Sequence, residues 1–143
     1  MVDLKKSLDV AKIPIAILVA IGIFSNVVGL IVPFLLCVVG LPLAIVGWAV
    51  NAWAGYKAVK EAKMDLVGGT VVGAVTGAVA GFINALIGFV FSMAGIGTYG
   101  GGAEEFAIGA GLGMIGIIVA PIIGAIIGAI LGAIGAFIAG MKK

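Results

Sequence analysis

Apolar residues in this chain do not alternate with polar ones; they run on for dozens of positions, and the pattern inside them is one of size. No charged residue lies between Ile13 and Tyr56, between Leu66 and Ala103, or between Phe106 and Met141. A membrane span needs about 20 apolar residues, so these stretches read as spans. Within two of them small residues recur every fourth position. One ladder is Gly69, Gly73, Gly77, Gly81; the other is Gly116, Ala120, Gly124, Gly128, Gly132, Ala136, Gly140. In water, glycine inside a helix costs about 1 kcal/mol relative to alanine. In lipid, the same spacing lets two helix backbones approach closely. Each four-residue step rotates roughly 40° past a full turn. Four glycines therefore share a face, whereas seven small residues drift through about 240°. The last span is expected to touch at least two neighbours, one within the chain and one in another copy.

The polar punctuation sets the span count. Gly40-Leu41-Pro42 is the best turn in the first long stretch, because glycine permits unusual torsions and proline lacks a donor. It divides a first span over 12–39 from a second over 43–60. Pro33 then bends the first span, freeing the carbonyl of Gly29; a turn at Pro33 itself is the competing division. Residues 56–65 form a charged connection ending in Asp65, a natural N-cap. A third span covers 66–93. Its small and polar positions continue as Gly81, Asn84, Gly88, Ser92 and Gly95, the three- and four-residue spacing of a left-handed seam. A glycine-rich loop with Tyr99 follows, then Glu104 and Glu105, placed where a helix N-terminus favours negative charge.

From Ala103 to Gly140 there are 38 residues, about 57 Å as one straight helix and nearly twice the hydrocarbon thickness. A break is expected, at Pro121 or, by preference, in the run Gly109, Gly111, Gly113. The fourth span is then 116–140, and 103–113 is an interfacial or re-entrant piece. The predicted fold is all-α: one integral membrane domain, a four-helix bundle with glycine-zipper packing.

Charge supports four spans. All eight basic residues are lysines. Four spans put Lys5, Lys6, Lys12, Lys57, Lys60, Lys63, Lys142 and Lys143 on one side, with Glu104 and Glu105 opposite. By the positive-inside rule both termini are expected in the cytoplasm, or at the equivalent inner face of an enveloped particle. Trp48, Trp53 and Tyr56, with Tyr99 across the bilayer, are the expected interfacial belt, although Trp48 is deep for that role. Leu4, Leu8 and Ala11 share one face at the solvated start of the first helix.

Composition then removes function classes. The chain is 64% hydrophobic and 10% charged, against about 25% charged in soluble domains. Without arginine it has no arginine-rich surface for nucleic acid. Cys37 is alone and histidine is absent, so neither an intrachain disulfide nor a zinc site is expected. No ionisable group lies inside a span, which argues against ion-coupled transporters and rotary rings. Gly100-Gly101-Gly102 lacks the strand and lysine of a phosphate loop. Ser7, Ser25, Ser92 and Cys37 have no base partner. No catalytic, cofactor-binding or metal residues and no small-molecule substrate are predicted. Three amides remain near mid-depth: Asn26, Asn51 and Asn84. Interhelical hydrogen bonds in lipid contribute about 0.6–2 kcal/mol, so these are either polar glue or the lining of a polar path. Pro121, which frees the Ile117 carbonyl, would join such a path.

The end of the second span, Ala54-Gly55-Tyr56, leads through a basic connection into Asp65-Leu-Val-Gly-Gly-Thr-Val-Val-Gly-Ala-Val-Thr-Gly-Ala-Val-Ala-Gly81. The forty residues from Leu43 to Phe82 that contain these stretches resemble small four-span, glycine-rich membrane proteins common in archaea, a group of unknown function. The resemblance implies the four-span layout and brings neither an activity nor site residues. Two functions follow as expectations. One is a non-enzymatic structural or assembly protein, self-associating or serving as a small subunit or membrane-embedded coat component, as viral structural proteins do. The alternative is a passive pore lined by small and amide residues.

Overall fold

A computed structural model describes residues 4–31, 33–93 and 103–141. These form four helices and no strand: α1 (Leu4–Ile31), α2 (Pro33–Lys60), α3 (Leu66–Met93) and α4 (Ala103–Met141). All four contain a segment long and apolar enough to cross a membrane: Lys5–Gly29, Val38–Lys60, Leu66–Met93 and Gly113–Met141. The expected loop with Gly95, Tyr99 and Gly100-Gly101-Gly102, and the terminal Lys142 and Lys143, lie outside the described residues.

Two expected boundaries are corrected. The first two helices divide at Pro33, not at Gly40-Leu41-Pro42, so the spans drawn over 12–39 and 43–60 become α1 and α2. Proline is favoured at the first position of a helix, and it pushes the residue before it away from helical torsions. Pro42 stays inside α2. Within a bilayer, losing one donor inside a helix costs less than unwinding a turn whose polar groups would find no water. The division at Pro33 gives α1, α2 and α3 28 residues each.

The second correction concerns 103–113. The expected break in the glycine run is absent, and α4 continues for 39 residues through both Gly109–Gly113 and Pro121. A re-entrant turn there is thus not formed. Helix-interior glycine costs only about 1 kcal/mol, less than unpaired backbone in lipid. The length is absorbed by overhang. A Cβ on Gly113 would lie 2.9 Å from Phe89 Cδ2, so in an antiparallel register α4 outruns the end of α3 by about six residues, or roughly 9 Å.

Neighbouring contacts define an up-down-up-down bundle. α3 packs most extensively on α4, α2 also packs on α4, α1 packs on α2 and α3, and α2 touches α3. α1 and α4 stand at opposite corners. The starts of α1 and α3 and the ends of α2 and α4 therefore share one end. Lys5, Lys6, Lys12, Lys57, Lys60 and Lys63 all belong to it.

Among the described residues, the tight core lies towards that end. Its buried residues are small: Ser7, Ala11, Ala54, Ala58, Val72, Thr76, Ala136 and Ala139. The Thr76 hydroxyl satisfies itself by donating to Val72 O at 2.7 Å. The buried face of early α1 is Ser7, Ala11, Pro14 and Leu18, whereas Leu8 is exposed. Of the expected apolar face, Ala11 is buried and Leu8 is not, because small side chains bring backbones together and large ones are better placed in lipid. Outward-facing positions carry the bulk, as with Ile115, Ile118, Ile122, Ile126 and Ile130 on α4.

Local signals fix the α2–α3 connection. Lys63 has φ 53°, and Met64 N donates to Ala58 O at 3.0 Å, closing the end of α2. Asp65 Oδ1 then accepts from Gly68 N at 2.7 Å, the N-cap expected from sequence. Asp65→Ala should cost about 1 kcal/mol, measured by equilibrium unfolding in mixed micelles; Asp65→Asn should recover most of it. At the same end Lys57 lies 5.3 Å from the Trp53 ring centroid and 3.4 Å from Glu61. This ties Trp53 to the lysine-bearing end of the bundle.

Candidate functional site

The glycine ladder of α3 faces α4 along its length. A Cβ built on Gly77 would collide with Gly124 O, and one on Gly124 with Gly77 O. Gly73 and Gly128 stand in the same reciprocal relation. A Cβ on Gly81 would lie 2.8 Å from Ala120 O, and one on Gly69 would strike Ala136. Gly73, Gly77, Gly81, Gly124 and Gly128 thus each aim a Cα–H at a facing carbonyl, a contact worth about 0.5–1 kcal/mol, whereas Gly69 meets the Ala136 side chain. Gly132 is a three-way junction. Its own Cβ would meet Gly69 O and Gly73 Cα, both at 2.8 Å, while Gly55 of α2 approaches Gly132 O.

Both neighbours of α4 come from the same chain. α2 supplies the second one, through Gly55 and through Gly135, whose Cβ would strike Ala52 O. The ladder positions did not include Gly55 or Gly135, because neither lies in a four-residue series. Gly116 and Gly140 are corrected in the opposite sense. Nothing lies within 4 Å of a Cβ at either position. By Gly116 the face has rotated about 120° from Gly128, and the side of the helix that carries it borders open space instead of a neighbour.

That space is a groove-like cavity of about 670 Å³, open along its side, to which all four helices contribute. It begins where the small-residue core ends and spans residues 40–51 on α2 and 116–127 on α4. Asn51 and Asn84 both line it; Asn26 does not. Asn26 Nδ2 donates to Gly22 O at 2.8 Å within its own helix. Asn51 does likewise to Gly47 O at 3.1 Å. The repeated Gly-x-x-x-Asn spacing was readable in the sequence, since a glycine leaves its carbonyl unshielded by a side chain. Asn84 is different: it donates across to Leu18 O of α1 at 3.2 Å.

Gly22 makes that link possible, because a Cβ there would collide with the Asn84 amide. Gly22 lies outside both ladders, and no spacing in the sequence marks it as a partner of Asn84. The stripe running from Gly81 through Asn84 to Gly88 thus turns away from α4 towards α1, with Asn26 Oδ1 4.0 Å from a Cβ at Gly88. Pro121 presents its Cα to Gly81, and Ile117 is not part of the cavity lining. The path expected to include the Ile117 carbonyl is therefore not assembled here. Trp48 lines the cavity while remaining 55% exposed.

Both cavity amides leave one atom over. In each, the bonded partner is a carbonyl, so the NH2 group must face it and the oxygen faces elsewhere. Asn51 Oδ1 and Asn84 Oδ1 are buried with no hydrogen-bond partner among the described residues. Asn51 as a residue is only 8% exposed. No protein family, curated protein or solved structure matches this chain.

Proposed function

We propose that this protein is a non-enzymatic structural or assembly component of a membrane. It acts through close helix packing, by self-association or as a small subunit or embedded coat component of a larger complex. The division of α4 into two faces carries this reading. One face gives its backbone to α3 and α2. The other is an uninterrupted ridge of Ile115, Ile118, Ile122, Ile126 and Ile130, free of polar atoms and suited to lipid or to a neighbouring apolar helix. From Ala120 to Ala136 the ladder is occupied within the chain, so contact between copies falls to that ridge. The shared lysine end is taken as cytoplasmic, with both termini there.

Mass measurement of the purified protein in lipid nanodiscs should give an oligomer, and reconstituted liposomes should show no ion or solute flux. A clean monomer would remove self-association. The passive pore is supported by the amide-lined cavity, but fully buried Ala54, Ala58 and Val72 block the lysine end beneath it. A steady conductance abolished in Asn84→Leu would establish the pore in place of the structural role. Labelling of Lys60 and Lys143 from opposite sides of the bilayer would overturn the topology.

A further inference from the structure

We propose that the lysine end of the bundle binds an anionic phospholipid, in a cleft between the α2–α3 turn and the end of α4. The cleft has a volume of about 410 Å³ and is open at its side, as lateral entry of a lipid requires. Its apolar walls are Val59 of α2, Met64 and Leu66 at the turn and the start of α3, and Phe137 and Met141 of α4. Leu66, Phe137 and Met141 are all exposed. Lysines adjoin these walls along the chain: Lys60 follows Val59, Lys63 precedes Met64, and Lys142 and Lys143 follow Met141. The apolar segments of α2, α3 and α4 end or begin at this level, at Lys60, Leu66 and Met141. The cleft therefore lies where hydrocarbon gives way to head groups, and its walls and flanking lysines follow the order of an amphiphile.

Charge selects the head. Among the described residues this end carries six lysines and three acids, Asp9, Glu61 and Asp65. Asp9 pairs with Lys12 at 2.6 Å and Glu61 with Lys57 at 3.4 Å, and no pairing within the set cancels the excess of lysine. Asp65 lines the cleft, but its Oδ1 accepts from Gly68 N at 2.7 Å and so offsets the positive end of α3. A phosphodiester without a cation of its own meets the excess charge. Each basic residue near an anionic head strengthens binding about fivefold. A choline head carries its own cation and gains no net attraction. A second copy of this chain is disfavoured here, because copies in one bilayer share an orientation and would set the same lysines against each other. Binding at this end is thus independent of whether copies associate elsewhere.

The test is native mass spectrometry of the full-length protein, released from nanodiscs of equimolar phosphatidylcholine and phosphatidylglycerol with its retained lipid. Phosphatidylglycerol should be retained at least 10-fold over phosphatidylcholine, and equally so in inorganic phosphate and in chloride at one ionic strength. Lys60→Gln with Lys63→Asn should lower that preference about 10-fold; asparagine tolerates the φ of 53° at residue 63. Lys5→Gln with Lys6→Gln removes the same charge from α1, at the corner opposite α4, and should change the preference less than twofold. Gly140→Leu keeps every lysine. Nothing lies within 4 Å of a Cβ there, so the leucine should enter the cleft, leave the fold intact and lower the preference as far as the Lys60 and Lys63 pair does. Equal retention of the two lipids would overturn the proposal, and displacement by inorganic phosphate would replace the lipid with a soluble anion. Equal losses from the two lysine pairs, or a preference that survives Gly140→Leu, would mean attraction to the charged end as a whole and would overturn the cleft.

Discussion

Gly128→Leu should pull α4 from α3 and cost about 3 kcal/mol or more, while Gly116→Leu, on the same ladder, should change stability by less than about 0.5 kcal/mol. The contrast arises because the two glycines differ in what stands opposite. At Gly128 a Cβ would strike Gly73 O and come within 3.2 Å of Gly77 Cα. Those atoms are backbone and cannot rotate aside, so the helices themselves must separate. Separation forfeits the contacts at Gly73, Gly77, Gly124 and Gly132 together, which is why the loss exceeds that of an ordinary overpacked core. At Gly116 a leucine finds open space and removes a glycine from a helix, a small gain in propensity. Unfolding in mixed micelles, followed by circular dichroism, measures both. Equal losses at the two positions would show that the ladder packs along its whole length, contrary to the register described above.

The second large effect is a coupling between Gly22 and Asn84. Gly22→Val should destabilise the bundle by about 2–3 kcal/mol, because its side chain would occupy the space of the Asn84 amide. Asn84→Ala removes the obstacle along with the bond to Leu18 O, at a cost of about 0.6–2 kcal/mol. In that background Gly22→Val should cost less than about 1 kcal/mol. The resulting coupling of about 1.5–2 kcal/mol lies within the range for residues in direct contact. Additive losses would mean that Asn84 does not cross to α1 at this level. The same cycle with Asn26 in place of Asn84 should show no comparable coupling, since Asn26 bonds only within its own helix among the described residues.

How much was readable depends on which physical signal each feature leaves. The third helix is visible because Asp65 starts it with a cap and charged residues precede it. The first turn was misplaced because two prolines nine residues apart compete, and Gly40 made the wrong one attractive. Proline's preference for a helix start and its effect on the residue before it favour Pro33, while Pro42 is tolerated inside α2. The break expected in α4 follows from bilayer thickness, with the glycine run and Pro121 as its candidate positions. Its resolution is the overhang beyond α3, which depends on the register between two helices. At the cavity, the three asparagines stood out as polar residues in apolar runs. Their separation into two that share a space and one that does not follows from which way each helix faces.

The sequence by itself determined the number of helices, their passage through lipid and the gathering of lysines at one end, since these depend on residue type and spacing along the chain. It also marked the small faces, because size in a bilayer has the role that hydrophobicity has in water. Tertiary structure alone decided that α3 and α2, not a second copy, occupy those faces, and that Gly132 joins three helices while Gly116 borders a void. The physical reason is that close approach depends on register and rotation between helices. A carbonyl opposite a glycine is set by the partner's position, and no spacing within one helix records it.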